Sequence, residues 1–580
     1  VRAALTLALV ATQALAGELS PEIQLCLQHF RAGERARAEK ALGPMDALPF
    51  YRLQLDVDPA ARRATGVMQL TYTADRPSSR LYLRVTPNAI GGGHVELTQA
   101  KVGGRAVVLE EAEAGLYRTK LEPALSPGAP VQFEAHLDAL IPESKPSAAP
   151  LTMLMTVPAG NSDHGAFSAS PFFVSMVGIL PMVPRLDARG TPSPGPAGFG
   201  DIALYPPAHV MAAITVPRGW RAMATGEALG EVPEPDGKVR FSFAAAAVRD
   251  FPLFAVQGYA EQTASVGDLE VVSSFDKEDR AEGEQVLHHA VAIITEYQKR
   301  LGPLPYKHLK VVEAPLTDGA GGMEFPGLIT LSTSLYRSVS DPSSALLGSG
   351  MAPLLGLAPG GKSSGMSAQL GSLMSNLLEF STAHELAHQY FAGLVGSDPI
   401  REPAVDEALA QYAALLYVEW RYGKKAAETM RDQQLVMPYQ MYRMQGGPDG
   451  AADRSTDRFG TAMEYAAIVY SKAPALYGEQ RKQVGDAAFV KGLRDYVDQY
   501  RYRWSCTDCF TQVLAGENPG AKDMLADLQR HWWSEAHGDE DLGTFDLSGL
   551  AHQMGAAGKV DADTVRALQD ALKALQGADP

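Results

Sequence analysis

The chain has little cysteine, no surplus of positive charge and no long apolar run in its interior, and each shortage removes a class of protein. Three cysteines in 580 residues, Cys26, Cys506 and Cys509, cannot form a disulfide framework or a four-ligand structural zinc site. For Cys506 and Cys509 two readings stay open, a small disulfide loop in an oxidising compartment or unpaired thiols, and Cys26 has no evident partner. A formal net charge of -16 argues against nucleic acid or an anionic membrane as partner. No interior stretch is long and apolar enough for an integral membrane span. The apolar run near the start is short. It follows Arg2 and leads to Ala14-Leu15-Ala16 before Gly17, the pattern of a signal peptide over residues 1-16. Export to the periplasm or the extracellular space is the expectation.

What is present begins with length, which requires more than one core. Residues 17-47 carry alternating charges and suggest a solvated helical leader. From Tyr51 the apolar period becomes two, with Tyr51, Leu53, Leu55 and Val57, then Met68, Leu70 and Tyr72, then Val131, Phe133, Ala135 and Leu137. This predicts an N-terminal antiparallel β domain over residues 48-265, with a Pro/Gly-rich loop at Gly190 to Phe199. Helical spacing of Val286, Ala290, Ile293 and Tyr297 opens a second domain, residues 266-480. Residues 481-580 predict a short C-terminal helical domain, with Phe489, Leu493, Tyr496, Trp532 and Trp533 as core.

The sharpest signal lies in the second domain. His384-Glu385-Leu386-Ala387-His388 places two imidazoles one helical turn apart, so both can face one ion. Glu407, after eighteen intervening residues, falls in a second helical pattern and supplies the third ligand if the two helices pack side by side. Such a His2Glu set holds one Zn2+ with an open position, the arrangement of catalytic zinc. Glu385, beside the first ligand, is placed to take a proton from the activated water. Gly321 to Leu331 suggests an edge strand, because Pro326 cannot donate within a central one, and an edge beside the ion suits a peptide that adds as a strand. Ser343 to Ser375 is long, apolar and rich in Gly, Ser and Met, and marks an insertion near the cleft. The ligand helix is expected to start near Asn376.

At these residues, and at Gly321-Gly322-Met323-Glu324 and Tyr470-Ser471-Lys472-Ala473, the chain resembles the M1 family of zinc aminopeptidases, in the gluzincin branch. The resemblance runs from about Phe50 to about Leu542. It implies a multidomain α+β protein with a thermolysin-like α/β catalytic domain. Glu324, with Gly321, Gly322 and Met323, would then bind the substrate's free amino group, and Tyr470 would stabilise the tetrahedral intermediate. In the family a residue of the β domain also helps hold that amine; Gln132, Asp163 and Asp187 are candidates, and the sequence does not choose among them. The chain departs from the family pattern at Phe325, Tyr390, Ala404 and Ala473. The implied activity is removal of the N-terminal residue from peptides with a free amino terminus, with Glu385 as general base. The alternatives are a zinc endopeptidase or other zinc hydrolase of the same fold, and a non-catalytic M1-like scaffold.

Overall fold

Period-two patterning builds the first half of the chain. Along the strand Phe50–Asp58 the side chains of Tyr51, Leu53, Leu55 and Val57 are buried, and Pro130–Leu140 repeats this with Val131, Phe133, Ala135, Leu137 and Ala139. Successive side chains on a pleated strand point to opposite faces, so one face becomes core. The computed structural model describes residues 19-90, 92-144, 162-196, 200-201, 205-342 and 364-543. The expected signal peptide and most of the Ser343 to Ser375 segment lie outside them.

Among the described residues the first domain holds an eight-stranded sheet in the order Glu227–Pro233, Lys238–Val248, Ala208–Pro217, Phe50–Asp58, Arg63–Thr73, Pro130–Leu140, His94–Val102, Arg105–Ala106. Four-stranded and three-stranded sheets pack with it. The pairing is antiparallel except that Phe50–Asp58 runs parallel to Ala208–Pro217, which corrects the wholly antiparallel expectation. The connection between those two strands is long and carries other strands of the domain, and a parallel pair needs such a crossover.

A mixed five-stranded sheet follows, in the order Tyr259–Val266, Leu269–Asp276, His308–Ala314, Leu328–Ser332, Gly322–Phe325. Because Tyr259–Val266 already belongs to it, the change of sheet falls at Gly258 and not at residue 265. The region read as one edge strand is a hairpin. Gly327 adopts φ 73° directly after Pro326 and turns the chain, leaving Gly322–Phe325 as the outer strand.

Two helices cross near this sheet. The first, Ser364–Ala387, begins well before Asn376, because Met366, Ala368, Gln369 and Leu370 favour helix and extend it into the presumed insertion. The second, Ala404–Tyr422, is buried from Ala404 to Val418. Its Ala408, Ala410, Ala413 and Ala414 are small enough for close helix packing. The C-terminal helices Asp486–Tyr500, Cys509–Glu517 and Lys522–Gln529 bury Phe489, Leu493 and Tyr496 in the same continuous core as Leu386 and Leu409. They pack onto the second domain and have no separate core among the described residues. Cys506 and Cys509 form a disulfide at the start of this bundle.

The leader also departs from expectation. It is two helices, Pro21–Leu27 and Glu34–Leu42, docked rather than solvated. Ile23, Cys26, Leu27 and Phe30 join the catalytic core, a helical spacing that the nearby charge run masks. Glu34 is buried against Arg501 at 2.7 Å and accepts a hydrogen bond from Tyr502 at 2.8 Å. Glu34→Ala would leave the Arg501 guanidinium buried without a counter-charge, so it is expected to cost about 3–5 kcal/mol, read as a lowered thermal midpoint. Hydrolytic rate per folded molecule should not change.

Candidate metal centre and active site

The ligand helix ends at Ala387, one residue short of His388, which sits in the turn that follows. That ending lets the Phe391 carbonyl reach back to His388 Nδ1 at 2.9 Å, which holds the proton there and leaves Nε2 as the free donor atom. His388 Nε2 lies 3.2 Å from His384 Nε2 and 3.3 Å from Glu407 Oε2, and His384 Nε2 lies 3.2 Å from the same oxygen. Bonds of about 2.0–2.1 Å in a tetrahedron imply ligand-to-ligand edges of about 3.3–3.4 Å. All three residues are buried, and Glu407 Oε2 has no hydrogen-bond donor. The donor set, spacing and orphaned oxygen together fit a divalent metal.

The electrostatics point the same way. Burial alone would raise the Glu407 carboxyl, but His388 and His384 outweigh it and hold Glu407 well below the usual carboxylate range. His388 is raised despite burial, because Glu324 and Glu407 face it. Burial pushes Glu385 up to about 8, with Glu407 and Asp201 adding to the shift and His388 opposing it. Burial likewise pushes Glu324 to about 8, against the pull of His388 and with Glu385 and Glu407 raising it further. A cavity of about 390 Å³ is thus lined by Asp201, Glu324, Glu385 and Glu407, with His384 and His388 among the facing groups. So many carboxylates in one buried space favour cationic occupants.

The hairpin is fixed to the ligand helix by Gln389, the residue after the second imidazole. Its Nε2 donates to Phe325 O at 2.9 Å, and its Oε1 accepts from Gly327 N at 2.8 Å and from the Tyr306 hydroxyl. Gly322 lies so close to the base that a Cβ there would stand 2.4 Å from the Glu385 carboxyl carbon. Tyr470 donates its hydroxyl to Glu407 Oε1, and its ring lies 5.8 Å from that of His384. It rides on a π-helical stretch, Ala466–Lys472, anchored where Lys472 Nζ meets Asp449 at 3.0 Å and Glu535 O at 2.7 Å.

The structure brings His384, Glu385, His388, Glu407, Glu324 and Tyr470 to one cavity, with Gly321, Gly322 and Met323 on its wall. It does not bring the three β-domain candidates there. Gln132 pairs with Thr71 on an exposed face, while Asp163 and Asp187 cap their own turns. The β-domain residues that reach the cavity are His164, Gly200, Asp201 and Asp250, and among them Asp201 has its carboxyl raised by burial and by neighbouring Glu324. Nothing in the sequence marks it. It follows a Pro/Gly-rich loop, where Gly200 (φ 78°) passes over the Tyr465 hydroxyl, leaving a Cβ only 2.7 Å from that oxygen. Gln389 has no sequence signal either, because its three partners are more than sixty residues away.

The departures from the family pattern, Phe325, Tyr390, Ala404 and Ala473, are all buried, and Phe325 also lines the cavity. Phe325 sets its ring edge-on to Phe254, and Tyr390 packs against Tyr297 while donating to Gly302 O. Ala473 is buried, and its carbonyl accepts from Trp533 Nε1 at 3.1 Å.

Comparison with known proteins agrees with this geometry. Residues 373–532 match the model of the peptidase family M1 domain. Those residues contain the three ligand positions, Glu385 and Tyr470, while Glu324 lies upstream of them. Among solved structures, the M1 zinc metallopeptidase from Deinococcus radiodurans is similar, with TM-score 0.56 and 18% identity over 84% of this chain and 93% of that one. A mutant of that metallopeptidase bound to a Tyr-Ser-Ala substrate gives 0.55 and 19% over 84% and 94%. A two-domain M1 zinc metallopeptidase mutant bound to L-tryptophan gives 0.56 and 18% over the same shares. The fold is therefore the multidomain α+β arrangement of an N-terminal β domain, a mixed α/β domain and C-terminal helices, like that of those M1 zinc metallopeptidases, and within it residues 373–532 match the peptidase family M1 domain.

Proposed function

We propose that the chain is a zinc-dependent aminopeptidase that hydrolyses the N-terminal peptide bond of peptides with a free amino terminus. The observation that carries this reading is that Glu324, Glu385 and the His384-His388-Glu407 triangle face one cavity. His384, His388 and Glu407 would hold one Zn2+, which supplies Lewis-acid polarisation of a carbonyl and acidification of water.

The protein's own groups do the rest. Among the described residues Gly322–Phe325 pairs only with Leu328–Ser332, which leaves its outer edge open for an extended peptide to add as a further strand. Glu324, with Asp201 beside it, binds the substrate ammonium through charge-assisted hydrogen bonds and sets the cut one residue from the end. Glu385 accepts the proton of the attacking water and returns it to the leaving amine. A carboxyl already raised by its surroundings suits both halves of that exchange. The Tyr470 hydroxyl, beside Glu407 Oε1, is the donor for the developing oxyanion. Export is supported by the Ala14-Leu15-Ala16 pattern and by the Cys506–Cys509 disulfide, since such bonds persist in oxidising compartments. None of the described helices is long and apolar enough to cross a membrane.

Three outcomes are expected. Stripping the metal with a chelator should abolish release of amino acids from peptides, and zinc should restore it. Glu385→Gln should lower kcat by about 100- to 10,000-fold while bound zinc, measured by elemental analysis, stays at the parent level; retained turnover would remove Glu385 as the base. Amino-acid amide reporters should be cut and their N-acetylated forms refused, and Glu324→Gln should lose about 1.5–3 kcal/mol of that discrimination. Equal cleavage of both forms by the unaltered chain would point instead to an endopeptidase. In addition, Gly322→Ala should displace the Glu385 carboxyl, reducing kcat with little change in thermal midpoint.

A further inference from the structure

The two helices that carry the metal triangle meet at a second place, away from the cavity. Glu379 lies five residues before His384 on Ser364–Ala387, which at 3.6 residues per turn sets it about 140° around the helix from that imidazole. It is 7% exposed, and it is not one of the residues that line the cavity.

Its carboxylate collects donors from two other helices. Oε1 accepts from the Tyr417 hydroxyl at 2.6 Å and from the Tyr422 hydroxyl at 2.8 Å, and Oε2 lies 3.0 Å from that same Tyr422 hydroxyl. His289 Nδ1 faces Oε1 at 3.4 Å. Tyr417 and Tyr422 belong to Ala404–Tyr422, the helix that carries Glu407, and His289 belongs to the helix Arg280–Leu301. Burial works against a charge here, but His289 and the two hydroxyls outweigh it and hold Glu379 below the usual carboxylate range. One ionised group thus joins three helices. Arg280–Leu301 grips the ligand helix again one turn further on, where the Tyr297 hydroxyl donates to Ala383 O at 2.9 Å, beside His384.

Two helices joined at a single point can still turn about it, and the triangle is one such point. At 1.5 Å per residue, Glu379 stands about 7.5 Å along its helix from His384, and Tyr417 about 15 Å along its own from Glu407. A hydrogen-bonded contact that far from the triangle fixes the crossing angle and the axial register of the pair. Through them it sets the 3.2 and 3.3 Å separations of Glu407 Oε2 from the two imidazoles. Given the zinc reading of that triangle, we infer that Glu379 is a positioning residue for the metal, acting with Tyr417 and Tyr422 to set the spacing of ligands it does not touch. Apolar contacts between the same helices would bury area without defining register, whereas a hydroxyl-to-carboxylate bond is lost once its partners part by about 1 Å.

The test separates metal binding from folding in the full chain. Metal-stripped protein is titrated with zinc against a competing chelator, and the cobalt-substituted form gives a visible spectrum that reports ligand geometry. Glu379→Leu should weaken zinc binding by about tenfold or more and shift the cobalt bands. Glu379→Gln, which keeps an acceptor oxygen for both hydroxyls, should restore affinity and spectrum to near the parent values. In Glu379→Leu turnover should fall in kcat with little change in KM, because the cavity wall is untouched. A lowered thermal midpoint with unchanged zinc affinity and cobalt spectrum would make Glu379 a stability residue alone and overturn the inference. If Glu379→Leu does not fold, Tyr417→Phe/Tyr422→Phe serves instead, since it removes two hydroxyls and no ring; parent zinc affinity there would be equally decisive against it. An unaltered chain that binds no zinc would remove the metal reading and this inference with it.

Discussion

Three donor atoms from two helices, held 3.2–3.3 Å apart in a buried cavity that also contains further carboxylates, set the terms for the rest of the protein. Such a concentration of like charge is unfavourable in an apolar setting unless cations balance it. A dication at the triangle and an ammonium at Glu324 and Asp201 would supply that balance from opposite ends. The same constraint that makes the site costly to build thus favours cationic occupants.

Holding the triangle together is a matter of helix packing and of one side chain. The alanines of Ala404–Tyr422 permit close approach, and burial of that helix from Ala404 to Val418 fixes its rotation, which aims Glu407 at the imidazoles. Gln389 then ties the ligand helix to the hairpin that carries Glu324 by two hydrogen bonds to its backbone. Docked leader helices and C-terminal helices share this core, and the π-helical turn carrying Tyr470 is braced from the far side by Lys472 and Trp533.

The comparisons and the geometry bear on different parts of the reading. The family model covers the ligand helices and Tyr470, while Glu324 on its hairpin lies outside it, and the role proposed for it rests on its position in the cavity. Of the positions that depart from the family pattern, Ala473 is buried beneath Trp533, whereas Phe325 is both buried and part of the cavity wall.

Local relationships were open to the sequence. The spacing of His384 and His388 is one helical turn, alternation along Phe50–Asp58 is a property of the strand itself, and Glu385 is adjacent to a ligand, so each follows from residue order. Relationships between distant segments were not. Asp201 reaches the cavity from a loop without periodicity, Gln389 finds partners on a hairpin more than sixty residues upstream, and the leader's core face is hidden in a run of charges. The parallel pairing of Phe50–Asp58 with Ala208–Pro217, and the π-helical register that aims Tyr470 at Glu407, likewise depend on packing. The residue order by itself determined which chemical groups are available and which local element carries each. Only the tertiary structure decided which of them meet, because convergence of side chains from separate elements is fixed by how helices and sheets bury their faces against one another.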